Sequence, residues 1–435
     1  MKNKLTYTGL LLGTLVGLVG CSTGATETQG DIELVTSIVE PITIEFWHGM
    51  SGALGETMNE LVETFNDTIG EEKGIEVEAT YQGGYDDLKS KVMASIKAGN
   101  NPEVVQGTSN NIMEFIQSGY VQALDEYITH EEIGIHDYTD IYESYRLESS
   151  NYDDNGTIFS LPFSKSTDLL FYNKTFFEEN GLELPRTWEE VVEVSKQIYE
   201  LTGKPALSID NTSNFLITYL FQAGAEYTNR QGEILFNNET SVEALTMLKE
   251  NIDKGYWRLA GEDKYSSAPF LSQNVFMYLG SSAGEAYLAN DVFEWDATTY
   301  PQINPEAPKY IQQGNNVAIL NQNKTSEEVF AAYEFIKYLV SNEANLKWVT
   351  ETGYLPIRES VVQSEAYQSL IESSNKTSKL AGVESAKNGF VEALFMLGNT
   401  NSNIVRSELL TMIDEIVLSN ADIKETLEFY AYKLR

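Results

Sequence analysis

The chain has 435 residues, 42% hydrophobic and 11% aromatic, enough for a sizeable core divided between two or three domains. Its 29 Lys and Arg stand against 65 Asp and Glu, a formal charge of -36. A field of that sign repels nucleic acid and anionic membrane surfaces and removes both as partners, although a cleft can still carry local positive charge.

In chain order, Lys2 and Lys4 precede an apolar stretch from Leu5 to Val19, too short for a membrane-spanning helix and suited to a secretory signal. It ends in Leu18-Val19-Gly20-Cys21, the form of a bacterial lipobox, with a small residue before the cleavage point and a thiol to take a diacylglyceryl group. Cys21 is the only cysteine, so it can form no internal disulfide. Residues 1–20 therefore read as a lipoprotein signal peptide. Residues 21–40, small, polar and acidic, read as a lipidated flexible tether. The expected location is the extracellular face of the cell membrane, held by the lipid alone, as on a Gram-positive surface.

From residue 42 short apolar strands alternate with amphipathic helices, the pattern of an α/β protein. Ile42 to Trp47 alternates as a first strand, and Ile75 to Tyr81 is a second. Between them Leu54, Met58, Leu61, Val62 and Phe65 share a helical face. Leu88, Val92, Met93 and Ile96 mark another helix, stopped at Gly99-Asn100-Asn101-Pro102, and Glu103 to Gln106 follows as a strand. Asn155-Gly156 reads as a hairpin turn between two strands. Capping boxes are predicted at Thr187…Glu190, Thr240…Glu243 and Thr325…Glu328. No repeat and no Gly/Ser linker divides the body, so two domains would be joined by crossing strands that suit a hinge.

Enzyme and metal motifs fail on inspection. Gly280-Ser281-Ser282-Ala283-Gly284 matches a hydrolase nucleophile elbow, but His48, His130 and His136 all precede Ser282, against the chain order that fold requires. Asn151 to Gly156 resembles a calcium loop, yet the twelfth position is Pro162 rather than Glu. Scattered histidines give no metal signature, and no Gly-rich phosphate loop is present. Neither a metal nor a cofactor is expected. What remains is 25 Tyr and 5 Trp among many hydroxyls and amides, a composition for a cleft that binds small polar solutes.

Ile42-Thr43-Ile44-Glu45-Phe46-Trp47-His48-Gly49-Met50-Ser51-Gly52, Thr80 to Tyr85, Ala98 to Pro102, Leu161 to Thr167 with Phe171 to Lys174, Thr352 to Ile357 and Leu397 to Asn399 occur in one order along the chain. In these blocks it resembles the extracellular solute-binding proteins of carbohydrate ABC importers (family 1), most of all the glycerol-3-phosphate-binding proteins. The resemblance implies an α/β, two-lobed periplasmic-binding-protein type II fold with lobes joined by crossing hinge strands and a helical C-terminus. Its first lobe would be 41–158 plus 312–345, and its second 159–311 plus 346–435.

The resemblance also implies a ligand set. Tyr85, Ser166, Ser281, Gly314, Tyr354 and Arg406 match the family's positions, with Arg406 and the serines on phosphate. The family carboxylate position falls on Ser109, and the expected tryptophan pair is replaced around Ser208 to Phe215. The implied role is capture of glycerol-3-phosphate or a glycerophosphodiester by hinge closure, without catalysis, and delivery to ABC permease subunits by a monomer. A neutral sugar or oligosaccharide stacked on Tyr85, Trp47 and Tyr354 is the alternative. A lipid-anchored glycosidase using two facing carboxylates is a further one.

Overall fold

The computed structural model describes residues 32–374, 376–398 and 400–435. The signal segment, Cys21 and the first part of the tether lie outside the described residues.

Two five-stranded sheets carry the fold. The first is ordered β2-β1-β3-β11-β4, from β1 (Ile42–His48), β2 (Ile75–Tyr81), β3 (Val104–Gly107), β4 (Leu161–Ser166) and β11 (Gln313–Ile319). The second is ordered β7-β6-β8-β5-β9, from β5 (Asp168–Asn173), β6 (Leu207–Ile209), β7 (Trp257–Leu259), β8 (Met277–Ser281) and β9 (Trp295–Thr299). In each, three parallel strands are completed by antiparallel ones. The alternation of β1 sets its faces: Ile44, Phe46 and His48 are buried on one, and Trp47 falls on the other. Phe46 meets Phe335 of helix Ser326–Leu339 edge-on, with ring centroids 5.3 Å apart. Pro162 is tolerated because β4 is an edge strand and the ladder bulges between Asn315 and Asn316. The second lobe is built around Trp188, packed against Phe215 at 5.1 Å and Tyr300 at 5.5 Å.

The lobes are joined at three adjacent crossings. Only Thr167 separates β4 from β5, and its hydroxyl donates to the Ile311 carbonyl at 2.7 Å. The return passes through Gln312, between β10 (Tyr310–Ile311) and β11. The third runs from helix Ser378–Lys387 into β12 (Gly389–Phe390), which pairs in parallel with β10.

Several boundaries differ from the sequence reading. The first crossing falls at Thr167, because the whole of β4 pairs in the first sheet. Residues 346–374 pack with the first lobe: Trp348 lies 4.9 Å from the Phe163 ring, and Tyr354, Ile357 and Tyr367 join the same core. Ile32, Leu34, Val35 and Ile38, assigned to the tether, also pack there. No hairpin forms at Asn155-Gly156. Asp153 instead accepts from the Asn155 and Thr157 N–H groups, both at 3.0 Å, and closes a loop on itself. Capping boxes form at Thr187 and Thr325, but the helix Glu239–Asp253 begins earlier, with Asn238 accepting from the Ser241 N–H at 2.9 Å.

Candidate functional site

Parallel strands end with free backbone groups and turning chain, and in both sheets those ends face one cavity of about 940 Å³ between the lobes. Thr108, Ser109 and Asn110 follow β3, Asp210 and Asn211 follow β6, and Ser281 ends β8. The crossings add Ser166 and Asp168 on one side and Gly314 and Asn315 on the other.

Seven of the eight ligand positions expected from the sequence line this cavity: Tyr85, Ser109, Ser166, Ser281, Gly314, Tyr354 and Arg406. Tyr85 and Tyr354 meet hydroxyl to hydroxyl at 3.1 Å. Burial raises the pKa of both, so both hydroxyls stay protonated: one donates to the other, and the second O–H is left to donate elsewhere. Tyr354 is fixed by stacking on Trp348, centroids 5.5 Å apart. The Ser281 Oγ accepts from the Ala283 N–H at 3.3 Å. Gly314 has φ +94, and a Cβ there would stand 2.0 Å from the Ser164 carbonyl oxygen, so the crossing admits only glycine. Trp47 does not line the cavity: it is half-buried on the other face of the first sheet, against the cluster of Leu88, Val92, Val105 and Ile112. Ser282 of the small-residue loop is buried, and its Oγ accepts from the Thr167 N–H at 3.3 Å, a bond that ties the crossing.

The electrostatics centre on Arg406. It is ion-paired to Glu392 and donates to the Asn214 Oδ1, while the Tyr227 hydroxyl donates to the same Glu392 at 2.9 Å. Burial works against the guanidinium charge, but Glu392 outweighs it and its pKa is raised. Asn214 turns its Nδ2 to Asp168 at 3.0 Å. Burial pushes Asp168 up to about 7, with Asp210 adding to the rise and Asn214 and Arg406 opposing it. Asp210, which accepts from the Ser266 N–H at 2.7 Å, is likewise raised by burial. Glu148 is paired at 2.5 Å with Lys165, a fully buried side chain that does not itself line the cavity. Among the described residues no group of three or more His, Cys, Asp and Glu could hold a metal ion, and no helix is long and apolar enough to cross a membrane.

Asp168, Asp210, Asn214, Glu392, Tyr265, Tyr278 and Tyr287 are lining residues that sequence reasoning missed. Asp168 follows directly on the recognisable Leu161 to Thr167 block, a signal that could have found it. Glu392 carries none.

The sequence profile of the bacterial extracellular solute-binding proteins matches residues 60–374. The sn-glycerol-3-phosphate-binding periplasmic protein UgpB of Escherichia coli (strain K12) is 25% identical over 346 residues, covering 76% of this chain and 77% of that one. Among solved structures, UgpB from Mycobacterium tuberculosis in complex with glycerophosphocholine superposes with a TM-score of 0.77 at 21% identity, over 91% of this chain and 98% of that one. The cyclic alpha-maltosyl-1,6-maltose binding protein from Arthrobacter globiformis gives 0.75 at 21%, over the same shares of 91% and 98%. With this profile covering most of the body and a two-lobed fold around one cleft, the chain belongs to the bacterial extracellular solute-binding proteins.

Proposed function

We propose that the protein captures a sugar or short oligosaccharide outside the cell and hands it to the permease of an ABC importer, anchored by a lipid on Cys21. The carrying observation is that Arg406 already has its counter-ion. Four carboxylates, Glu148, Asp168, Asp210 and Glu392, line the cavity against two cations, Lys264 and Arg406. A phosphomonoester dianion entering here would have to displace Glu392 and face the other three carboxylates. A polyhydroxylated solute would instead find carboxylates and amides to accept from its hydroxyls and tyrosine rings to cover its C–H faces. Ligand bridging the lobes selects the closed state, and the three crossings act as the hinge.

A glycerophosphodiester is the second reading. It is favoured by Ser166, Ser281 and Arg406 lining the same cavity, and a single negative charge is easier to accommodate than two.

The test is calorimetry on the mature chain carrying Cys21→Ser, with maltose, a longer glucan, lactose, glycerophosphocholine and glycerol-3-phosphate. Sugar binding with silence from both phosphate esters is the expected result. Ligand at a hundredfold its Kd should add ~2.7 kcal/mol of stability. If only the esters bind, and Arg406→Ala abolishes that binding, the sugar reading fails and the second stands.

A further inference from the structure

The second-lobe wall of the cavity holds a charge problem that a neutral solute does not solve. Asp168, 6% exposed, begins β5, and Asp210 follows β6. Their donors are neutral, Asn214 for Asp168 at 3.0 Å and Ser266 for Asp210, through its N–H at 2.7 Å and its hydroxyl. Neither makes an ion pair among the described residues, in contrast to Glu148 with Lys165 and Glu392 with Arg406. Lys264 stands at the exposed mouth, also outside any ion pair among the described residues.

A second, independent feature lies beside Asp210, on the opposite face of the second sheet from Asp168. The Tyr278 hydroxyl has no hydrogen-bond partner although the residue is 1% exposed and lines the cavity. Its ring is held by stacking on Phe171, centroids 4.6 Å apart. Asp210 and Tyr278 flank one point: a Cβ on Gly280 would sit 2.6 Å from the Asp210 Oδ2 and 2.8 Å from the Tyr278 ring. Tyr265 and Tyr287, 68% and 66% exposed, add ring faces among the cavity residues. A buried and a half-buried carboxylate, an unused hydroxyl and aromatic faces are what an alkylammonium needs: acceptors for its three N–H groups, compensation for its charge, and π-faces for the carbons beside it. A metal ion would need more ligating groups than this wall supplies.

We propose that the solute carries a protonated amine, and that Asp168 and Asp210, with Tyr278 beside Asp210, form the end of the cavity that receives it. The inference rests on the sugar reading and adds a substituent to that sugar. The raised pKa of Asp168 is consistent with it, being the mark of a carboxylate whose counter-charge has yet to arrive.

The experiment compares three disaccharides of one skeleton by calorimetry on the mature Cys21→Ser chain at pH 7: cellobiose, the disaccharide of two glucosamines, and its N-acetylated form. The diamine is expected to bind at least ~10-fold more tightly than the other two, which is the worth of one charge-assisted contact. That preference, read as the ratio of diamine to cellobiose affinity within each protein, should fall to about one in Asp168→Asn/Asp210→Asn, whatever the variant does to cellobiose itself. Asp210→Asn alone keeps the test open if the double variant misfolds, and should lose most of the preference. Equal or tighter binding of the N-acetylated or neutral sugar overturns the subsite, as does an amine preference that survives both variants. If maltose binds and the whole trio is silent, the subsite is overturned and the sugar reading stands. Silence from every sugar overturns both.

Discussion

Asp168 and Trp47 mark the two ways in which single residues escaped a reading of the sequence. Trp47 sits in a block that matches the family, but period two places it opposite Phe46, so it packs in the core of the first sheet. Asp168 is one of 65 acids, and apart from its place directly after the Leu161 to Thr167 block nothing sets it apart as the one that β5 buries against the cavity. Tyr85, Ser166, Ser281 and Arg406 were legible because they stand at positions matching a known pattern; the Glu392 that neutralises Arg406 was not, since only the fold brings it there. Asp168 also makes a pH prediction. Its folded pKa, about 7, lies above the unfolded value near 3.8, so its favourable contribution is complete below the unfolded value and is lost as pH rises toward 7. Its facing groups are Asp210, which repels, Arg406, which attracts, and Tyr300, neutral throughout. Asp168→Asn should therefore gain stability over the parent between pH 5 and pH 8, on the order of 3 kcal/mol. Thermal melts of both ligand-free proteins at the two pH values check this; a constant difference would remove the assignment.

Strands and helices were read more easily than their ends. Ile75 to Tyr81 was read to the residue, because alternation and a glycine at one end bound it. The loop at Asp153 was misread, since Asn-Gly chemistry also suits a turn closed by an aspartate side chain, and the strands a hairpin needs are absent there. Helix Glu239–Asp253 starts ahead of the predicted Thr240, because Asn238 is extended and its side-chain oxygen accepts from the otherwise unpaired Ser241 N–H of the first turn. A clear difference follows. Asn238→Ala should cost about 1 kcal/mol in chemical denaturation, whereas Thr240→Ala, inside the helix, should cost less than ~0.5 kcal/mol. Equal losses would return the cap to Thr240.

At the scale of the molecule, the two-lobed α/β architecture was readable from the resemblance and from the lack of any linker. The path of residues 346–374 was not: amphipathic helices fit either lobe, and the choice is made by Trp348 meeting Phe163. The lobes also touch away from the hinge. Asn403, at the start of helix Ser402–Leu418 in the second lobe, donates to Glu114 at 2.7 Å and Asn111 at 3.2 Å on helix Ser109–Ile116 in the first. Arg230 similarly reaches Asn151 at 2.9 Å and Asp154 at 3.3 Å. Bonds that exist only when the lobes meet favour closure. Asn403→Ala should weaken ligand affinity about fivefold, equivalent to about 1 kcal/mol, with a larger ligand-free radius of gyration by small-angle scattering. Unchanged affinity and radius would make the contact idle.

The packing of Ile32 to Ile38 against the first lobe has a consequence outside the protein. With the lipid proposed on Cys21, ten residues separate it from Ile32, and a chain of ten residues can reach at most ~35 Å. The first lobe is then moored close to the bilayer while the second swings, and every release returns the carrier to the same patch of membrane. Its encounter with a permease becomes a search in two dimensions at a local concentration approaching the millimolar range. Inserting residues between Cys21 and Ile32 should slow uptake in cells without touching the affinity for solute.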